Sequence, residues 1–135
     1  MTCFLGLVDP PSGRFTYASA GQGPAFFYCG RDGEISVRMP TYPPLGVSLL
    51  DPVVGTEQFW SFERGDSLVL VSDGVYEATQ PSGERFGIDR IRESLLDTRD
   101  ASADHTVAQL RRDVEGFAGP EPQQDDMTIV VIRKV

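Results

Sequence analysis

The stretch GDSLVLVSDGVYEA, residues 65–78, contains an apolar run, Leu68-Val69-Leu70-Val71, that stops at Ser72-Asp73-Gly74. Four consecutive apolar residues leave neither face of a strand polar, so the run predicts a short strand covered on both sides. Gly74 follows at once and predicts a sharp turn. Asp73 then sits at the tip of a rigid element, where a carboxylate can be held towards a metal ion. Working outward, a second acidic element follows 52 residues later. Asp125-Asp126-Met127-Thr128 leads directly into Ile129-Val130-Val131-Ile132, another apolar strand. If the two strands are sheet neighbours, the carboxylates at their ends converge. Each element also has an ordinary reading: a hairpin turn for Asp73-Gly74 and a solvated loop for Asp125-Asp126.

Between and before these two elements the chain alternates strand-like and turn-like segments. Residues 2–8 form a first strand, and the turn Asp9-Pro10-Pro11-Ser12-Gly13 carries proline and glycine where turns favour them. Residues 14–19 alternate Phe15 and Tyr17 against Arg14, Thr16 and Ala18, which completes a hairpin. Gly21-Gln22-Gly23-Pro24 breaks the pattern. Residues 25–29 and 34–38 form a second hairpin through Arg31-Asp32-Gly33. Residues 39–46 hold three prolines and predict a loop. Residues 57–62 form a further strand, with Phe59 and Trp60 divided between core and rim. Residues 63–66 turn the chain into the central strand, which gives Asp66 a conformational role.

After Ala78 the texture changes. Residues 79–83 predict a loop. Ile88, Ile91, Leu95 and Leu96 have helical spacing. Ser102 is placed to cap a second helix whose apolar face is Val107, Leu110, Val114 and Phe117, with Gly119-Pro120 ending it. His105, the only histidine, falls in the first turn of that helix and is expected in solvent, as are Arg111 and Arg112. Residues 121–126 form an acidic loop before the last strand. Antiparallel strands followed by helices, with one strand returning at the end, make an α+β fold.

The 135 residues suit a single domain over 1–135 with a real core. The net charge of −8 disfavours nucleic acid and anionic membranes as partners. No apolar run is long enough to span a bilayer, and the first residues lack a signal-peptide pattern, so a cytoplasmic location is expected. Cys3 and Cys29 lack metal or redox spacing and read as buried reduced thiols.

As an ordered set, YASAGQGPAFFY, PPLGV, SDGVYEA, GERFG and DDMTIVVIR resemble the C-terminal half of the PPM (PP2C-like) serine/threonine phosphatases, in particular the bacterial SpoIIE/RsbU type. The resemblance covers almost the whole chain, about residues 2–133. It implies an antiparallel β-sandwich flanked by helices, an α/β/β/α arrangement of which this chain forms the C-terminal part. It also implies hydrolysis of phosphomonoesters by metal-activated water at a pair of Mn²⁺ or Mg²⁺ ions, on a phosphoprotein such as an anti-anti-sigma factor. Carried over, Asp73 and Asp125 are the metal ligands, and hence the catalytic residues. Gly74, Asp126 and Thr128 support them from behind. No substrate-binding residue is assigned.

Two departures accompany the resemblance. Residues 1–65 contain neither the Gly-Asp ligand nor the Asp-x-x-Gly-His-Gly segment of the family, so Met1 is expected to be an internal start, the start of one product of a split gene, or a cut end, and self-association or a partner chain carrying the missing half is expected to cover the exposed sheet. The subgroup's Ala-Gly-His reads Ala20-Gly21-Gln22 here, and a loop amide that satisfies backbone groups is the expectation for Gln22. A degenerate, non-catalytic partner-binding module is the alternative function.

Overall fold

A computed structural model describes residues 1–47, 57–120, 123 and 125–135. The expected loop over residues 121–126 therefore lies partly outside the described residues.

The first hairpin forms as its alternation dictates. β1 (Cys3–Asp9) pairs antiparallel with β2 (Arg14–Ala20) from Cys3↔Ala20 to Asp9↔Arg14. The Gly13 N–H donates to the Asp9 carbonyl at 2.9 Å and closes the turn. Phe15, Tyr17 and Ser19 are buried, while Thr16 and Ala18 on the other face are half-buried. β3 (Ala25–Tyr28) and β4 (Ile35–Arg38) form the second hairpin, and β5 (Gln58–Ser61) returns to pair with β2. β6 (Ser67–Val71) lies between β3 and β7 (Ile129–Arg133). The result is a three-stranded sheet ordered β1-β2-β5 and a four-stranded sheet ordered β4-β3-β6-β7.

The strand Leu68–Val71 is covered on both faces, as its composition predicts, and each face has its own core. On one side Leu68 joins Phe15, Tyr17, Phe27 and Phe62 between the two sheets. The rings there interlock: Tyr17 and Phe27 lie 5.1 Å apart, and Trp60 meets Phe27 edge-on at 4.8 Å. On the other side Val69 and Val71, with Phe26, pack against the helices through Ile91, Leu95, Leu110 and Val114. Those helices are α2 (Gly87–Asp97) and α3 (Ala103–Ala118). The Ser102 side chain caps α3 by accepting from the His105 N–H at 3.2 Å, while His105, Arg111 and Arg112 face solvent.

The described residues thus form three layers, helices on sheet on sheet. The register sets Leu5 opposite Ala18 and both Leu7 and Phe59 opposite Thr16, on the face away from the aromatic core. Among the described residues that outer face is largely exposed, although the Arg14 guanidinium lies over the Phe59 ring: Leu5, Leu7 and Phe59 are 63%, 68% and 70% exposed. Val130 and Ile132 pair with Leu70 and Leu68 yet are themselves exposed, so the described part of the first sheet does not extend over β7. The second helical layer of the expected α/β/β/α arrangement is not among the described residues.

Candidate active site

The two strands that carry the aspartates are neighbours, with Val71 opposite Ile129. Beyond that last pair the chain ends stay stitched together. The Ser72 N–H donates to the Thr128 carbonyl at 3.0 Å, and the Thr128 N–H donates to Ser72 Oγ at 2.9 Å. Ser72 Oγ in turn donates to the Asp126 carbonyl at 2.9 Å. Gln22 Nε2 donates to the Val71 carbonyl at 3.0 Å, the backbone-satisfying role expected of it.

After Ser72 the chain enters a short helix, α1 (Asp73–Tyr76), instead of the turn that Asp-Gly suggested. The Glu77 N–H donates to the Asp73 carbonyl at 2.8 Å. Gly74 is needed for a different reason from the one read in the sequence. It has no positive φ. A Cβ there would lie 2.4 Å from the Asp126 carbonyl oxygen and 3.1 Å from that of Asp125. Only a residue without a side chain lets the two segments touch.

The close approach brings Asp73 and Asp125 onto the wall of one cavity of about 350 Å³. Asp73 Oδ1 accepts from the Gly74 N–H at 3.2 Å, and Asp125 Oδ1 from the Asp126 N–H at 2.8 Å. Both side chains are exposed and keep oxygen atoms free for a further partner. Gly74 lines the same cavity, whereas Asp126 and Thr128 do not; the backbones of these two are hydrogen-bonded to Ser72. Carboxylate oxygens suit hard divalent cations such as Mg²⁺ or Mn²⁺. Two carboxylates are a partial ligand set, and among the described residues no three His, Cys, Asp or Glu side chains gather to hold a metal.

Sequence reasoning missed Glu77, Arg85 and Glu115, which line the cavity with the apolar Val114, Ala118 and Met127. The signal for Glu77 was its place one helical turn beyond Asp73. Arg85 lies in the quoted GERFG segment, which carried no assigned role. Burial, followed by the negative charges of Asp73 and Glu77, raises the Tyr76 phenol pKa above the ordinary tyrosine value, with Arg85 acting in the opposite direction.

Other singled-out residues have structural duties. Asp66 is buried, and its carboxylate accepts from the Gly30 and Glu63 N–H groups, each at 2.8 Å. Cys3 and Cys29 are free, as expected, but half-buried rather than buried. No helix among the described residues is long and apolar enough to cross a membrane.

Known proteins share this fold. The chain is 27% identical to the phosphoserine phosphatase RsbU of Bacillus subtilis, over 99% of this chain and 39% of that protein. It spans 20% and 39% of the lengths of the curated relatives it matches. Its fold matches the PP2C domain of SiaA from Pseudomonas aeruginosa with a TM-score of 0.81 at 20% identity, covering 96% of this chain and 50% of that one. It also matches the manganese-presoaked phosphatase domain of SpoIIE from Bacillus subtilis with a TM-score of 0.72 at 18% identity, covering 98% and 56%. The family model for Stage II sporulation protein E (SpoIIE) matches residues 1–135, and with Asp73 and Asp125 brought to one cavity by adjacent strands, the chain belongs to that PP2C-type phosphatase family.

Proposed function

We propose that this chain supplies the Asp73–Asp125 part of the active site of a metal-dependent serine/threonine phosphatase, acting on a phosphorylated regulatory protein such as an anti-anti-sigma factor. The observation that carries this is the meeting of the two aspartates on one cavity wall. RsbU, one relative, bears the name phosphoserine phosphatase. Phosphate monoesters hydrolyse extremely slowly unaided. A bound pair of Mg²⁺ or Mn²⁺ ions supplies a nucleophilic water and charge against the phosphoryl oxygens. In this reading Asp73 and Asp125 hold one ion. Gly74 permits their approach, and the Ser72 hydrogen bonds to Asp126 and Thr128 fix the second segment. No nucleophilic side chain is required. The remaining ligands come from polypeptide equivalent to the part of the relatives that this chain does not span.

The test is a Mn²⁺ titration followed by calorimetry. Asp73→Asn and Asp125→Asn should each abolish binding, whereas Asp104→Ala on α3 should leave it intact. Equal binding by all three variants would refute the assignment. With Mn²⁺ the chain alone should hydrolyse an aryl phosphate barely above background, and the complementary half of the domain, added in trans, should restore turnover. Strong turnover by the chain alone would mean that its own acidic residues complete the site.

A second reading is a non-catalytic module that binds a partner through the same surface. The partial ligand set favours it. Failure of the complementary half to restore any turnover, with Mn²⁺ binding intact, would select this reading.

A further inference from the structure

Arg85 is the one basic residue among the described residues that line the cavity of Asp73 and Asp125. Its backbone is well anchored. Thr79 and Arg85 form an antiparallel bridge, and the Phe86 N–H donates to the Ala78 carbonyl at 2.7 Å. Phe86 itself is buried and meets Phe117 of α3 edge-on at 5.4 Å. The guanidinium end is solvent-exposed by comparison. It pairs with Glu77 at 2.8 Å, with the two side chains 63% and 48% exposed.

An exposed ion pair of this kind is weak, because water and salt compete for both partners. A phosphate dianion offers the same guanidinium two parallel charged hydrogen bonds, a stronger and geometrically better match. Arg85 therefore exchanges Glu77 for phosphate at little cost. In its resting position the guanidinium is in ion-pair contact with Glu77 and with neither Asp73 nor Asp125.

We propose that Arg85 is a substrate phosphate-binding residue at this cavity and that Glu77 is its resting partner, holding it away from the two aspartates. This rests on the reading of Asp73 and Asp125 as cation ligands. It adds a role for residues in the 77–85 segment that the ligand assignment does not use.

The probe is inorganic phosphate added to the Mg²⁺-loaded chain, followed through the arginine Nε–H resonances by NMR, with Mg²⁺ affinity measured separately by calorimetry. In the wild-type chain phosphate should shift the Arg85 resonance. Arg85→Ala should weaken phosphate binding about tenfold, the scale of a charged hydrogen bond. Arg85→Lys should recover part of that loss, since it restores charge without the planar fork. Glu77→Gln should tighten phosphate binding severalfold. Mg²⁺ affinity should be equal in the wild-type and Arg85→Ala chains. Intact Mg²⁺ binding with phosphate affinity unchanged by Arg85→Ala would overturn the proposal alone. A wild-type chain that binds no Mg²⁺ would overturn the ligand reading and the proposal with it.

Discussion

Ser72 and Thr128 bind each other twice: the Ser72 N–H donates to the Thr128 carbonyl at 3.0 Å, and the Thr128 N–H donates to Ser72 Oγ at 2.9 Å. The same hydroxyl donates to the Asp126 carbonyl. One side chain therefore ties the end of β6 to the segment that carries Asp125.

Ser72→Ala removes the two side-chain hydrogen bonds and spares the backbone one. Urea unfolding should show a loss of about 1 kcal/mol, with the midpoint lowered and the slope unchanged. Mn²⁺ binding should weaken without being abolished. A variant as stable as the wild type would show that water replaces the hydroxyl fully.

Gly74→Ala places a methyl group 2.4 Å from the Asp126 carbonyl oxygen. Backbone must yield to backbone, so the expected destabilisation is about 1–3 kcal/mol. The displaced segment bears Asp125, and metal affinity should fall even though both aspartates remain. Calorimetry on the folded variant separates this from unfolding. Undiminished affinity would mean that the two segments part without moving Asp125.

Tyr76 makes the folded state sensitive to alkali. Its phenol pKa is raised in the fold, by burial first and then by Asp73 and Glu77. A raised pKa means that folding favours the protonated form. This contribution is complete below the ordinary tyrosine value of about 10 and is lost as pH rises through the folded-state value. Tyr76→Phe should therefore lose less stability than the wild type between neutral and strongly alkaline pH. Asp73→Asn should lower the phenol pKa, as read from the phenolate absorbance.

The outer face of the first sheet predicts concentration-dependent behaviour. Leu5, Leu7 and Phe59 expose apolar area of the kind that drives association. Sedimentation equilibrium should detect self-association of the chain, and Leu7→Ser with Phe59→Ser should reduce it. Association unchanged in the double variant would assign the contact to another surface, with the exposed side of β7 the next to test.

The parts of the fold that were legible in the sequence are those with local periodicity. Phe15 and Tyr17 alternate with Thr16 because one side of β2 faces a core, and Leu110 and Val114 recur along α3 because one side of it does. Leu68 to Val71 showed no alternation, and their strand does separate two cores. Asp73 and Asp125 were legible as strand-end carboxylates because each neighbours a recognisable apolar run. The four-residue helix at Asp73 was not, since it is too short to display a 3.6-residue repeat. Nor was the true constraint on Gly74, which comes from a carbonyl 52 residues away in the chain. The meeting of Glu77 with Arg85 across a hairpin, and the burial of Asp66 under two N–H groups, depend equally on tertiary placement.

The two aspartates hang from strands with unequal hydrogen-bonded support. Among the described residues β6 is hydrogen-bonded along both edges, to β3 and β7, whereas β7 lies at one end of its sheet and is bonded along one edge. Amide exchange should accordingly be slow through Ser67–Val71 and faster along Ile129–Arg133. An arriving cation would then encounter Asp73 already in position and Asp125 still fluctuating, so that capture has an order in time. Exchange measured with and without Mn²⁺ should show the gain in protection concentrated between residues 125 and 131 rather than between 67 and 74.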